Sequence, residues 1–594
     1  MKNNIYKIMC AALLTVSMTS CLDTIILPDD KTVDEDFWQT KEDVASMVNG
    51  AYKAMTADDV IARLIVWGDF RTDEFKMSDA VTDESATTIA LDEIYAVGMQ
   101  TTNMYGQWSS FYNVINRCNI VLERAAEVMN IDPNYTMGDY AVDRSQMLAL
   151  RALCYFYLVR SHRDIPYYTE AYMNSSQNTN LEQQAPMYVI DRCIADLQEA
   201  STTALAARGY TTTQWRRVGY MTDDAINALL ADIFLWKASI THSAADYQQC
   251  VAYCDKVIES KKGQHRLGRG EVATSEYPLA TSSRMYNDIF VTQNAEESIL
   301  ELQLTSNLPV CQYFYKYKSQ SGTGGTGWFK ATPLMGSALS GSYTAATFAS
   351  GTALFSPGDM RYYQTCFSGG ESGYDVRKII SQMAISSKPT NTSLASRNGE
   401  QYDYGGLGGR NYNIYRLTDI MLMKAEAMLE QVDGEAEIAE QQVPLRDVFN
   451  LLQAVNTRAL AEENKADSLK WTDFRSHNKN DYEQYILQER LREFAFEGRR
   501  FYDLMRYNYR HATGVDYNRT LVQMVDAGET LPAVFDDMLT LMMRQSGTDQ
   551  AGRKAKMQNE AYLYMPVPNS DLIVAPALRQ NPAYRDTKDY QKSY

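Results

Sequence analysis

The chain lacks any apolar run long enough to cross a membrane as a helix. Its most apolar stretch, Ile8–Met18, falls well short of the roughly 20 residues that a span needs. Histidine is scarce, with five in 594 residues (162, 242, 265, 477 and 511). None forms a His-x-x-x-His or Glu-x-x-His spacing, which would set metal ligands on one helix face. A Gly-x-Ser-x-Gly elbow and a Walker-type phosphate loop are both missing, and the glycines at 405–409 do not sit between a clear strand and a helix, so they read as a loop. Nothing here pairs a nucleophile with its base. The sequence therefore points to no catalytic residue, no metal ligand and no cofactor. Positive charge is in deficit: 57 Lys and Arg against 74 Asp and Glu give a net charge of −17, which argues against nucleic acid and against anionic lipid as partners. Nine cysteines at irregular spacing make no disulfide framework. Cys118 and Cys154 fall within apolar helical patterns and read as small core residues. Cys250 and Cys254 stand one helical turn apart, with no histidine nearby at metal-site spacing.

What is present begins at the N-terminus. Lys2 and Lys7 form a short basic region before the apolar stretch, the order of a secretory signal. Met18-Thr19-Ser20-Cys21 then resembles the lipobox of bacterial lipoproteins, with Met where Leu is preferred. That resemblance implies cleavage before Cys21 and a diacylglyceryl group on its sulfur. Loss of residues 1–20 removes Lys2 and Lys7 and no acid, taking −17 to −19. The mature chain is expected to be lipid-anchored rather than spanning.

Helical periodicity covers most of the remainder. Thr40-Lys41-Glu42-Asp43 has the form of a capping box, followed by Val44, Met47, Val48, Ala51 and Tyr52 at helical spacing. A second helix carries Trp108, Phe111, Ile115, Cys118 and Leu122, with Trp108 assigned to the core. A third, over about 145–162, is apolar on most sides and should be buried. Further amphipathic stretches lie near 186–202, 222–240, 245–259, 413–430, 445–462 and 481–508. Paired helices of these lengths predict a mainly α, tetratricopeptide-like helix-pair scaffold. Residues 262–412 differ, being rich in Gly, Ser, Thr and Tyr, and predict a loop-rich variable subdomain of the kind that carries binding on a rigid frame. The segment 545–558 reads as a surface loop. The resulting division is 1–20 signal, 21–261 N-terminal helical region, 262–412 variable region and 413–594 C-terminal helical region.

Five motifs in order carry a family resemblance. They are Phe37-Trp38-x-Thr40 to Asn49-Gly50-Ala51-Tyr52; Arg151 to Arg160 followed by Asp164-Ile165-Pro166; and Tyr415-Arg416-Leu417 to Ala425-Glu426-Ala427. The fourth is Glu489-Arg490-x-Arg492-Glu493-Phe494-x-Phe496-Glu497-Gly498-x-Arg500-Phe501-Tyr502-Asp503-Leu504-x-Arg506. The fifth runs from Met565-Pro566-Val567-Pro568 to Asn581-Pro582-Ala583-Tyr584. Together they resemble the SusD-like (SusD/RagB) nutrient-binding outer-membrane lipoproteins, departing from the pattern at Ala583 (usually Gly) and Ala575 (often Asn). The resemblance implies a cell-surface lipoprotein that captures oligosaccharide and delivers it to a SusC-like TonB-dependent β-barrel transporter, over which it acts as a lid. A peptide-binding lid, as in the RagB branch, is the alternative.

Glu489, Glu493 and Glu497, spaced i, i+4, could suggest a third reading, a glycoside hydrolase. The interleaved Arg490, Arg492, Arg499, Arg500 and Arg506 instead suggest an ion-pair network within a structural helix, and Asp419 and Glu426 read likewise as scaffold contacts. Gly498 would weaken a helix interior but permit close backbone packing. Sugar recognition needs aromatic faces and fixed polar groups, and the chain carries 41 Tyr against 18 Phe. Two regions offer this: Trp67, Arg71 and Asp73 just after the first helix, and Tyr313, Tyr315, Tyr317, Trp328 and Phe329 in the variable region. Alternation puts the three tyrosines on one face of a strand.

Overall fold

Thr40 caps the first helix in the manner its sequence predicts. Its hydroxyl accepts from the Asp43 amide, and the Asp43 carboxylate accepts from the Thr40 amide at 2.8 Å, so two amides that a helix end leaves unpaired are satisfied reciprocally. The computed structural model describes residues 37–77, 85–174, 176–211, 214–268, 276–304, 329–336, 354–356, 358–368, 374–376, 378, 382–383, 402–403, 411–433, 442–543 and 550–585. Cys21, Tyr313, Tyr315, Tyr317 and Trp328 lie outside the described residues, as do the glycines of 405–409.

The scaffold consists of consecutive helix pairs: α1 (Lys41–Met55), α2 (Asp58–Asp69), α3 (Ser109–Val128), α4 (Met137–His162), α5 (Pro186–Ala200), α6 (Asp223–Thr241), α7 (Ala244–Gly268), α8 (Leu417–Glu430), α9 (Gln442–Ala459), α10 (Lys479–Phe494) and α11 (Arg500–His511). Packing runs α1 on α3, α3 on α4, α4 on α5, then α6 on α7, α7 on α8 and α8 on α9. Helices α10 and α11 close the array against α8, α6 and α2. This is the tetratricopeptide-like arrangement expected from helix lengths. Each amphipathic helix buries its apolar stripe on the next, and one continuous core results. From Ser145 to His162, α4 is buried on every side. It begins at Met137, earlier than its apolar pattern, because its first two turns are exposed or half-buried and are held by a second capping box, Thr136 with Asp139. No described helix is long and apolar enough to cross a membrane.

Three expectations are corrected. The 413–430 segment opens as a strand, β6 (Tyr412–Arg416), antiparallel to β2 (Ser298–Leu302), before α8 begins. The 481–508 segment is two helices, not one. The chain breaks at 495–499, with Phe496 at φ 64° and Gly498 at φ 72°, a left-handed conformation that no helix continues through. Residues 550–557 form a helix whose Met557 is buried, where a surface loop was expected.

The loop-rich region contributes three strands, β3 (Phe329–Ala331), β4 (Cys366–Ser368) and β5 (Tyr374–Val376), to a four-stranded antiparallel sheet of order β1-β3-β5-β4, completed by β1 (Phe75–Met77) from the N-terminal region. It also carries a small satellite core of Met285, Tyr286, Ile289, Phe290 and Ala295.

Candidate ligand-binding sector and the charge network beneath it

Of the two regions singled out for aromatic and polar side chains, 67–74 and 313–329, the first leads directly into β1 and the second ends at Phe329, the first residue of β3, and these two strands pair. Phe75 pairs with Ala331, Lys76 with Lys330 and Met77 with Phe329. Thr332 locks the register: its amide donates to Glu74 O at 2.9 Å and its hydroxyl to Asp73 O at 2.7 Å. Phe329 thus sits in β3 opposite Met77, next to the chain that bears Trp328.

Trp67, Arg71 and Asp73 do not present themselves to a ligand; this expectation is corrected by their burial. Trp67 is fully enclosed, stacked on Phe111 at 5.0 Å between ring centres, with Nε1 donating to Tyr105 O. Arg71 lies over the Phe501 ring at 3.9 Å and donates to Leu563 O at 2.8 Å. Asp73 accepts two bonds from Arg500, at 2.8 and 2.9 Å. All three are interior because they pack on the frame: Trp67 on Phe111 of α3, and Arg71 and Asp73 on Phe501 and Arg500 of α11.

The anchoring point is an approach of two glycine backbones. A Cβ on Gly68 would overlap the Gly498 carbonyl and stand 2.7 Å from Gly498 Cα. A Cβ on Gly498 would overlap the Tyr412 hydroxyl and lie 2.9 Å from Leu64 O. The adjacent Asp69 exploits this closeness. Its carboxylate accepts from the amides of Gly498 at 2.7 Å and Arg499 at 2.9 Å, capping α11, whose own N-cap residue Arg499 makes no side-chain cap bond. Sequence reading noted the glycine at 498 but missed its partner, although Gly68-Asp69 stands within the same motif as Trp67.

Glu74 lies beside this cap, fully buried, and neither of its oxygens accepts a hydrogen bond from an N–H or O–H donor. Burial, followed by the charges of Asp69 and Asp73, pushes its carboxyl well above the usual range. Burial likewise raises Asp69 to about 7. Burial and the neighbouring carboxylates thus favour the protonated form of Glu74 beside Asp69. Because these folded-state values lie above the unfolded ones, their stabilisation is complete below the ordinary carboxylate range and is lost as pH rises through the raised values. Urea midpoints measured from pH 6 to 9 should fall for the parent chain, and fall less for Glu74→Gln, whose amide stays neutral at every pH. Parallel profiles for the two would contradict this protonation.

Under the sheet, the three suspect glutamates are buried and ionised. Glu489 is paired with Arg361 at 2.9 Å and Arg492 at 2.8 Å. Glu493 meets Arg361 at 2.8 Å, and also Arg416 and Arg458. Glu497 meets Lys378 at 2.7 Å and Arg416 at 3.0 Å. Burial alone would raise the Glu493 carboxyl, but the guanidiniums of Arg458, Arg416 and Arg361 overcome it and hold that group well below its ordinary value. A glycosidase acid requires the opposite, a raised value in an open cleft. The network reading of these residues holds, with one difference. The cations come mainly from distant segments, and of the interleaved arginines only Arg492 reaches one of the three. Arg490 and Arg499 go to Asp419, Arg500 to Asp73, and Arg506 to Glu426 and Asp503. Since Arg361 and Lys378 belong to the variable region, these pairs clamp that region onto α10.

A helix-pair frame carrying a loop-rich sector on a buried ionic clamp defines a class of binding scaffold. Comparison with known proteins places it more closely. Residues 340–584 match the model of the SusD family, and residues 26–235 match a SusD-like model described as "Starch-binding associating with outer membrane". The SusD-like protein P38 of Formosa agariphila is 22% identical over 522 residues, covering 83% of this chain and 89% of that one. Among solved structures, B. fragilis NanU superposes with a TM-score of 0.61 at 16% identity, covering 94% of this chain and 100% of that one. A structure named as a laminarin binding SusD-like protein gives 0.56 at 17% identity, covering 92% and 100%. The chain belongs to the SusD-like family.

Proposed function

We propose that this chain is a cell-surface lipoprotein, anchored through Cys21, that captures oligosaccharide in its variable sector. It hands the glycan to a SusC-like TonB-dependent β-barrel transporter in the outer membrane, over which it closes as a lid. The observation that carries the reading is the β1–β3 pairing, which ties Phe329, at the end of the aromatic-bearing stretch, to the chain that leaves α2. A ligand held there is positioned by a frame instead of by a free loop, which limits the ordering cost of binding. The starch-binding description of one matching family model and the name of the laminarin binding structural neighbour support glycan as the cargo. Contacts are assigned to Tyr313, Tyr315, Tyr317, Trp328 and Phe329.

Two tryptophan variants separate ligand contact from scaffold. Trp328→Ala is expected to weaken binding of a bound oligosaccharide about tenfold or more while leaving the unfolding midpoint unchanged, since an aromatic binding anchor contributes roughly 2 kcal/mol or more. Trp67→Ala is expected to cost about 3–5 kcal/mol of stability through the cavity it leaves, with affinity retained in the folded fraction. The reverse pattern would return the ligand to the 67–73 segment. Binding of peptides but not glycans would keep the architecture and change the cargo.

A further inference from the structure

A groove of about 560 Å³ lies on the helical frame, away from the β1–β3 sheet, between the end of α1, the start of α2 and the start of α3. Its volume is in the range of small-ligand sites. Its electrostatics run against the rest of the chain. In a molecule of net charge −17, it collects Lys53 and Arg117 and the amide end of α3, whose N-cap Trp108 supplies no side-chain cap. The Lys53 ammonium forms no ion pair among the described residues. Arg117 spends only its Nε, donating to Asn113 Oδ1 at 3.1 Å. The single acid of the lining, Asp59, is already shared with Arg63 at 3.3 Å. Ser110, also in the lining, is only 8% exposed, and its hydroxyl has no hydrogen-bond partner. Gly50 keeps the wall open beside Arg117: a Cβ there would stand 3.6 Å from Arg117 Nη1, so any longer side chain would extend into that space.

We propose that this groove is a second binding site, distinct from the loop-rich sector, which takes a carboxylated sugar. Lys53 and the terminal nitrogens of Arg117 hold the carboxylate, a planar acceptor that a guanidinium matches with two parallel bonds. Asn113, Ser109 and Asp59 offer donors and acceptors for the ring hydroxyls, and Ala54 and Ala57 give a small aliphatic floor for a C–H face. The assignment of a sugar, rather than another carboxylate, rests on the oligosaccharide reading above, whereas the anion selectivity stands on the groove itself.

The test is calorimetric titration of the chain lacking residues 1–21, which removes nothing of the described fold, with glucuronate, galacturonate, glucose and galactose. The uronates should bind and the neutral sugars should bind at least tenfold more weakly. Lys53→Ala and Arg117→Ala should each weaken uronate binding about tenfold, and Gly50→Leu should abolish it by filling the wall. All three positions are at the surface or partly exposed, so unfolding midpoints no lower than the parent's should accompany these losses. Trp328→Ala should leave uronate binding unchanged, so failure of the glycan reading for the variable sector would not imitate failure here. Equal affinity for acid and neutral sugars, or uronate binding indifferent to both cation variants, would overturn the site. Binding of a glutamate-rich peptide without any uronate binding would overturn the sugar assignment.

Discussion

Gly68→Ala is expected to destabilise the chain by roughly 3 kcal/mol or more, a large part of the 5–15 kcal/mol that a typical native state has in hand. The reason is geometric. Alanine is ordinarily the better helix residue by about 1 kcal/mol, and Gly68 lies within α2, so propensity alone predicts a gain. The added methyl would, however, overlap the carbonyl of Gly498 and crowd its Cα at 2.7 Å. These are backbone atoms at a chain break, fixed by the bonds that Gly498 and Arg499 donate to Asp69. Relieving the overlap means prising α2 from the α10–α11 junction and uncapping α11. Gly498→Ala should be costly for a different reason. It combines a φ of 72° with an overlap on the Tyr412 hydroxyl, and Tyr412→Phe should restore part of the loss there while doing nothing for Gly68→Ala. Urea unfolding of the three single variants and the Gly498→Ala/Tyr412→Phe double variant measures this. A Gly68→Ala midpoint equal to the parent's would show that the two backbones do not meet as described.

Glu493→Gln is expected to cost about 3–5 kcal/mol, because removing one charge from a buried cluster strands its partners. Three guanidiniums converge on this carboxylate. Arg361 sits at 2.8 Å and is shared with Glu489 and Asp359, and Arg416 and Arg458 complete the set. An amide can accept from some of them but neutralises none. Glu493 titrates below the ordinary range in the fold, so its contribution is present above the unfolded carboxylate value and is lost as pH falls. The variant's deficit should therefore be largest near neutral pH and shrink toward pH 3. The same substitution should loosen the variable sector first, since Arg361 enters the cluster from there. Faster proteolysis within 340–410, ahead of global unfolding, is the expected sign. A deficit that is constant across pH would remove the ionic explanation.

Much of the frame could be read in the chain before any coordinates. Capping boxes and apolar spacing mark helix starts locally, so Thr40 and the 186–202 helix were found where they lie. Errors arose where distant contacts override local pattern. The 481–508 stretch scans as one helix, yet it breaks at Phe496 because Gly498 must reach Gly68, a partner some 430 positions away. Tyr412–Arg416 takes strand geometry because Ser298–Leu302 lies alongside it, which no window around 412 reveals. The site divided in the same way. The sequence drew attention to 67–74 and 313–329, and the structure sets Phe329 opposite Met77, just beyond the first of them, but the composition of Trp67, Arg71 and Asp73 said nothing of their burial. Arg361, Arg416, Arg458 and Lys378, the cations that answer Glu489, Glu493 and Glu497, could not be assigned to them at all, because their spacing in sequence carries no trace of the pairing.

The measurement that bears most directly on the central claim is titration of the chain lacking residues 1–21 against an array of oligosaccharides, with product analysis in the same wells. Saturable binding of a glycan that Trp328→Ala weakens, with every oligosaccharide recovered intact, is the predicted result. Release of shortened glycan, or an array on which no oligosaccharide binds, would contradict the account of this chain as a glycan-capturing protein of the SusD-like family.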